Sequence, residues 1–71
     1  MVFFDGIHLW SPDLQELHGF ASKIGAPFSW FQDHARHPHY DLWGYMARKA
    51  KRYGAVKVMP CMLGYLIREA A

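Results

Sequence analysis

Short apolar runs alternate with helical patterns along this chain, and that alternation most constrains its fold. The runs are Val2-Phe3-Phe4, Phe28-Ser29-Trp30-Phe31-Gln32 and Ala55-Val56-Lys57-Val58-Met59. Each is short and contains aromatic or β-branched residues, as buried strands do. Strands that alternate with helices through short connections favour a parallel sheet with right-handed crossovers. The sequence therefore predicts an α/β fold in βαβαβα order, with a small three-stranded parallel sheet and the helices packed on it.

Capping residues indicate where the predicted helices begin and end. Ser11-Pro12-Asp13 opens the first helix, because serine caps well and proline suits a first turn. Gly25 is expected to end it in the left-handed conformation. Asp41 is the predicted cap of the second helix. The apolar face of the first helix comprises Leu14, Leu17, Ala21 and Ile24.

Size and composition favour a single domain that associates with itself. We treat residues 1–71 as one α/β domain, since a chain this short buries only about 60% of its unfolded surface. The sequence is 52% hydrophobic and 17% aromatic. That is more apolar surface than so small an interior hides, so a homo-oligomer is expected.

Cysteine content and hydropathy indicate the compartment. A single cysteine, Cys61, excludes an internal disulfide and a zinc site built from paired cysteines. No apolar stretch approaches the roughly 20 residues needed to span a bilayer, and the first residues lack a signal-peptide pattern. We therefore expect a cytoplasmic protein that does not engage a membrane.

The segment from His34 to Asp41 concentrates the reactive side chains. It holds three of the five histidines, together with an arginine and a tyrosine. Histidine can donate, accept, bind metal or transfer a proton near neutral pH, and arginine offers a planar cation for phosphate or carboxylate. The segment predicts a site for a small anionic, nucleotide-like ligand. The net charge of +2 is too low to indicate a nucleic-acid polymer as partner.

The predicted sheet brings further residues to this segment, because ligands bind beyond the carboxyl ends of parallel strands. Asp5 and His8 follow the first strand, while Trp43 and Arg48 lie on the second helix near its predicted start. The predicted ligand-binding residues are Asp5, His8, Gln32, His34, Arg36, His37, His39, Tyr40, Trp43 and Arg48. Purely structural roles are the alternative for three residues of this region. Asp5 would be a turn residue, Asp41 a helix cap and Arg48 part of a solvated helix face.

Metal binding is a separate hypothesis. His37 and His39, with Asp5 or His8 from the neighbouring loop, could supply three ligands for zinc or manganese. This spacing matches no standard metal signature. The first expectation is therefore no cofactor, and a divalent metal is the alternative.

Several motifs together resemble a known family. They are the opening strand with Asp5, His8-Leu9, Glu16-Leu17-His18-Gly19-Phe20-Ala21 with Ile24-Gly25, Trp30-Phe31-Gln32, Pro38-His39-Tyr40-Asp41, and the basic helix ending in Gly54-Ala55-Val56. Over nearly its whole length the chain is similar to small bacterial and phage proteins grouped as domain of unknown function 4031. The segment between the first strand and first helix is shorter here than in many relatives. The resemblance supports the site positions but implies no reaction.

Three functions follow from these observations. The leading one is a small homo-oligomeric protein that binds a phosphate-bearing metabolite or nucleotide. If the gene is phage-borne, as the resemblance suggests, sequestering a nucleotide signal in the host cytoplasm would serve counter-defence. The alternative is a small phosphodiesterase or related hydrolase in which His39 or His37 is the acid or base. Asp5 or Asp41 would then hold a histidine tautomer or a metal, and His39 and Asp41 are the expected catalytic residues. The third is an interaction module without a ligand. Binder and enzyme stay open at this point.

Overall fold

The chain folds into five short strands and three helices, described for residues 1–70 in a computed structural model. The strands are β1 (Phe3–Phe4), β2 (His8–Trp10), β3 (Phe31–Gln32), β4 (His39–Asp41) and β5 (Val56–Lys57). The helices are α1 (Leu14–Ile24), α2 (Met46–Arg52) and α3 (Pro60–Ala70), and a single 3₁₀ turn at Phe28–Trp30 precedes β3. Within residues 1–70 no helix is long and apolar enough to cross a membrane.

The strands form one mixed sheet in the order β3-β4-β2-β1-β5, so the predicted three-stranded parallel sheet in βαβαβα order is wrong. Only β1 and β5 pair in parallel, and the other three pairs are antiparallel. The reason lies directly after β1, where Gly6 has φ 107°. The Asp5 carboxylate accepts the backbone N–H groups of Ile7 and His8. The chain therefore reverses at once into β2, where we had expected a loop leading to the first helix.

Helix α1 agrees with the prediction except at its first residues. Asp13 is the N-cap, and its carboxylate accepts the backbone N–H groups of Gln15 and Glu16. Ser11, the predicted cap, instead donates its hydroxyl hydrogen to the Glu16 carboxylate. Gly25 ends the helix at φ 85°, as expected.

Helix α2 begins four residues later than predicted, at Met46 rather than directly after Asp41. Asp41 does not cap it, because Asp41 belongs to β4 and pairs with His8 of β2. The backbone of Asp41 is paired in the sheet and so does not start a helix. No side chain caps the N-terminus of α2.

The two faces of the sheet have different roles, because side chains alternate along each strand. One face carries Phe4, Leu9 and Tyr40, which pack with α1 and α2 in the hydrophobic core. The other carries His8 and Trp10 from β2 and His39 and Asp41 from β4, and α3 lies over it. The expected homo-oligomer stays a prediction; exposed apolar residues on or next to α3 are Met59, Met62 and Tyr65.

Truncating a core residue of α1 should measure how far the fold depends on this packing. Leu17 is fully buried at 0% exposure, so Leu17→Ala should lower the free energy of unfolding by about 2–5 kcal/mol. Leu14 on the same helix is 44% exposed, and Leu14→Ala should change it by less than about 0.5 kcal/mol. Urea unfolding followed by circular dichroism measures both. Equal losses would contradict the orientation of α1.

Candidate metal centre

Three metal-ligating side chains meet on the sheet face below α3. His8 lies directly across from Asp41 in the β2–β4 pair, and His39 lies two residues before Asp41 on the same face. Asp41 Oδ1 is 3.3 Å from His39 Nε2 and 3.9 Å from His8 Nε2. One nitrogen or oxygen atom from each residue lies within 4.8 Å of the others. We call these three residues the His8–His39–Asp41 cluster.

A hydrogen bond to the backbone sets the tautomer of His39 through Nδ1, the ring nitrogen that points away from Asp41. Nδ1 lies 2.7 Å from the backbone carbonyl oxygen of His37. A carbonyl oxygen only accepts, so Nδ1 carries the proton and donates it. In the neutral ring, Nε2 then presents a lone pair toward the Asp41 carboxylate.

Asp5 bonds to Nδ1 of His8, the ring nitrogen that points away from Asp41. Asp5 Oδ2 is 3.0 Å from His8 Nδ1, while Oδ1 accepts the N–H groups of Ile7 and His8. Burial raises the pKa of Asp5, but the hydrogen bonds from the His8 ring and from the two amides outweigh it, and the pKa falls below its ordinary value. Asp5 is therefore an ionised acceptor for His8 Nδ1, and in the neutral ring His8 Nε2 presents a lone pair to the cluster.

When both rings are neutral, two imidazole lone pairs and a carboxylate oxygen thus converge, and none of the three facing atoms carries a hydrogen to donate. Such acceptors repel each other unless a proton or a cation lies among them. Two nitrogens and one oxygen suit a divalent ion such as zinc or manganese. Asp5 and the His37 carbonyl are the outer partners that metal-binding histidines usually have. These residues have the chemistry of a metal centre.

Two further histidine rings lie beside the cluster. The rings of His34, His37 and His39 are nearly parallel, with centroids 4.8 to 5.4 Å apart. Burial lowers the pKa of His37, and the neighbouring imidazoles of His34, His39 and His8 lower it further when they carry positive charge. The lowered pKa favours the neutral ring, which can accept a proton.

A cavity of about 390 Å³ opens beside the cluster. The polar part of its wall comprises Asp5, His8, His37 and His39; Trp10 and the α3 residues Pro60, Leu63, Gly64 and Ile67 complete it. A smaller cavity of about 110 Å³ is also walled by Trp10 and Ile67, and Arg36 and Pro38 line it too. The larger cavity is big enough for a small metabolite.

The structure brings together only part of the predicted ligand-binding set. Asp5, His8, His37 and His39 line the larger cavity, and Gln32 lies across from His39 in the β3–β4 pair. His34 stacks beside them, whereas Arg36 lines the smaller cavity. The metal hypothesis had paired His37 with His39; here His37 contributes a backbone carbonyl and Asp41 joins His8 and His39.

Three predicted residues lie elsewhere. Tyr40 points to the core face, where its hydroxyl is 2.6 Å from His18 Nδ1 and burial raises its pKa. Trp43 is 61% exposed in the connection between β4 and α2. Arg48 is exposed on α2, which packs on the core face. The predicted anion site at the start of α2 therefore loses Arg48.

Sequence reasoning missed the contribution of α3 and of Trp10. Pro60, Leu63, Gly64 and Ile67 follow the i, i+3, i+4, i+7 spacing of one helix face. That spacing was a usable signal. The sequence-based interpretation used the apolar surface only to predict a homo-oligomer and gave α3 no role at the site.

Comparison with known proteins agrees with the family resemblance of the sequence motifs. The model of the family described as "Protein of unknown function (DUF4031)" matches residues 5–70. The chain belongs to this family. The match covers every residue of the His8–His39–Asp41 cluster and all of α3. No curated protein and no solved structure matched the chain.

The role of Asp5 gives a pH-dependent prediction. Its pKa is lower in the folded chain than the ordinary 3.8, so its contribution to stability is present above that value and is lost as the pH falls through the folded pKa. The unfolding free energy of wild type should exceed that of Asp5→Asn by a constant amount from about pH 7 to 5, and by less below about pH 4.

Urea unfolding across pH measures this difference, with Asp33→Asn in an exposed loop as the control. An Asp5→Asn difference that persists unchanged to about pH 2 would contradict an ionised, hydrogen-bonded Asp5.

Proposed function

We propose that the protein is a metal-dependent hydrolase of a phosphate-bearing substrate, with a zinc or manganese ion held by His8, His39 and Asp41. The observation that carries the proposal is the convergence of two Nε2 atoms on the Asp41 carboxylate. Both histidines have their Nδ1 bound to an acceptor, at Asp5 and at the His37 carbonyl. With neutral rings in these tautomers, all three residues present acceptor atoms, and a cation bound among them would join them.

The number of ligands favours a reaction over a purely structural ion. Structural zinc sites have four protein ligands, whereas a site with three keeps a position for water or a substrate oxygen, and the ion polarises what binds there. In hydrolysis, the water oxygen bonds to phosphorus, the phosphorus–oxygen bond to the leaving group breaks, and a proton passes from the water to the leaving oxygen. His37 lies in the cavity wall, and its lowered pKa favours the neutral imidazole that can accept that proton.

A phosphate-bearing substrate is supported by the positive groups around the cavity. The first residue of α3, Pro60, lines the larger cavity, and the N-terminus of an 11-residue helix favours anions. Arg36 in the smaller cavity is a second positive group. Arg36 was already among the predicted ligand-binding residues, whereas the N-terminus of α3 takes the place of Arg48 and the start of α2.

Binding without turnover is the second candidate, and the larger cavity favours it as well. Its volume of about 390 Å³ suits a nucleotide-sized ligand. In that case the protein sequesters a phosphate-bearing metabolite or nucleotide signal, the role suggested for a phage counter-defence protein. The metal would then hold the phosphate without cleaving it.

Metal affinity should depend on the cluster. Calorimetry of chelator-treated protein with zinc or manganese chloride should find one ion per chain. His39→Ala and Asp41→Asn should abolish this binding, and Asp5→Asn should weaken it by about tenfold to a hundredfold because the tautomer of His8 is no longer fixed. His34→Ala, in the exposed loop, is the matched control and should retain it. Loss of binding in His34→Ala but not in Asp41→Asn would contradict this set of ligands.

Turnover separates the two candidates. With zinc or manganese added, wild type should release nitrophenol from bis(4-nitrophenyl) phosphate or from 4-nitrophenyl phosphate. His37→Ala should reduce the rate by about a hundredfold or more while metal affinity is retained, because proton transfer acts in the transition state. The control is Arg48→Ala, an exposed residue of α2 on the other side of the sheet, which should leave the rate unchanged. Intact phosphate esters recovered after long incubation with the metal-loaded protein would reject the hydrolase and favour sequestration.

A further inference from the structure

The face of α3 above the cluster is apolar and incompletely filled. Pro60, Leu63, Gly64 and Ile67 share that face and all line the larger cavity. Leu63 is the only buried residue of α3 within residues 1–70. The helix therefore acts as an apolar wall opposite the polar sheet face.

Gly64 leaves an open space in this wall, and the backbone conformation does not require a glycine at this position. Glycine is disfavoured against alanine inside a helix, and Gly64 is not among the glycines with positive φ. A Cβ atom built at Gly64 has no heavy atom within 4 Å, so no close contact demands a glycine there either. Since the residue faces the cavity, its missing side chain leaves room for a ligand.

The smaller cavity continues from the same wall and ends in a positive charge. Trp10 and Ile67 line both cavities, so the two are adjacent. Consecutive residues of the loop before β4 divide between them: His37 lines the larger cavity and Arg36 the smaller. Within residues 1–70 Arg36 forms no ion pair. Its guanidinium is thus available to an anionic group.

We propose that the two cavities form one groove for a substrate with two anionic groups separated by an aromatic or apolar body. The first anionic group binds at the His8–His39–Asp41 cluster, the body packs on Trp10 and the α3 wall, and the second group binds Arg36. The first contact rests on the proposed function, whereas the contacts with Arg36 and Gly64 do not depend on hydrolysis.

The probes are phosphonates, because their phosphorus–carbon bond is not hydrolysed and binding is measured without turnover. Phenylphosphonate carries one anionic group, and 4-carboxyphenylphosphonate and 4′-carboxybiphenyl-4-ylphosphonate carry two at different separations. At least one of the two-anion compounds should bind wild-type, zinc-loaded protein about tenfold or more tightly than phenylphosphonate in calorimetry. Arg36→Ala should remove this preference. Arg48→Ala, which removes an exposed arginine on the other side of the sheet, is the matched control and should keep it.

Two glycine variants test the body of the groove. Gly64→Leu should weaken binding of all three aromatic phosphonates by about tenfold or more by filling the space, without lowering the thermal midpoint, because leucine is a better helix former. Gly19→Leu makes the same exchange on the exposed face of α1, where a Cβ likewise meets nothing within 4 Å. It should leave phosphonate binding unchanged.

The outcomes separate this inference from the proposed function. Absence of zinc binding, together with an Arg36-dependent preference for two anionic groups, rejects the metal centre and supports the groove. Zinc binding without that preference, or unchanged phosphonate affinity in Gly64→Leu, rejects the groove and leaves the metal centre standing.

Discussion

The pairing of β2 with β4 is the contact on which the candidate site depends. Each strand has three residues, and two pairs set the register, His8 across from Asp41 and Leu9 across from Tyr40. Because side chains alternate along a strand, a shift of one residue would send His39 and Asp41 into the core and bring Tyr40 to the cavity. Whatever fixes this register also positions the proposed metal ligands.

The core face supplies that constraint. Leu9 and Tyr40 are buried neighbours there, and the Tyr40 hydroxyl bonds to His18 of α1. A slipped register would move Tyr40 to the other face and leave His18 without this hydrogen-bond partner, which is unfavourable. The hydrophobic core therefore determines the geometry of a polar site on the opposite face.

Local sequence signals predicted some elements well and others poorly. Asp13, the apolar face of α1 and Gly25 identified a helix whose signals all lie within it. By contrast, β4 contains His39 and Asp41, which have low strand propensity, so Asp41 was interpreted as a helix cap. Its partner β2 lies some thirty residues earlier, and no local pattern encodes a pairing between strands that far apart. Most side chains of the site were named from the sequence, but their arrangement follows from this long-range contact.

The absorption spectrum at the zinc edge of protein loaded with one equivalent of zinc tests the central claim most directly. Extended fine structure should give only nitrogen and oxygen neighbours at about 2.0–2.2 Å, with the outer-shell scattering of two imidazole rings. That result would match His8, His39 and Asp41 as ligands. A sulfur neighbour at about 2.3 Å, which only Cys61 or a methionine could supply, or an ion without imidazole scattering would contradict the account.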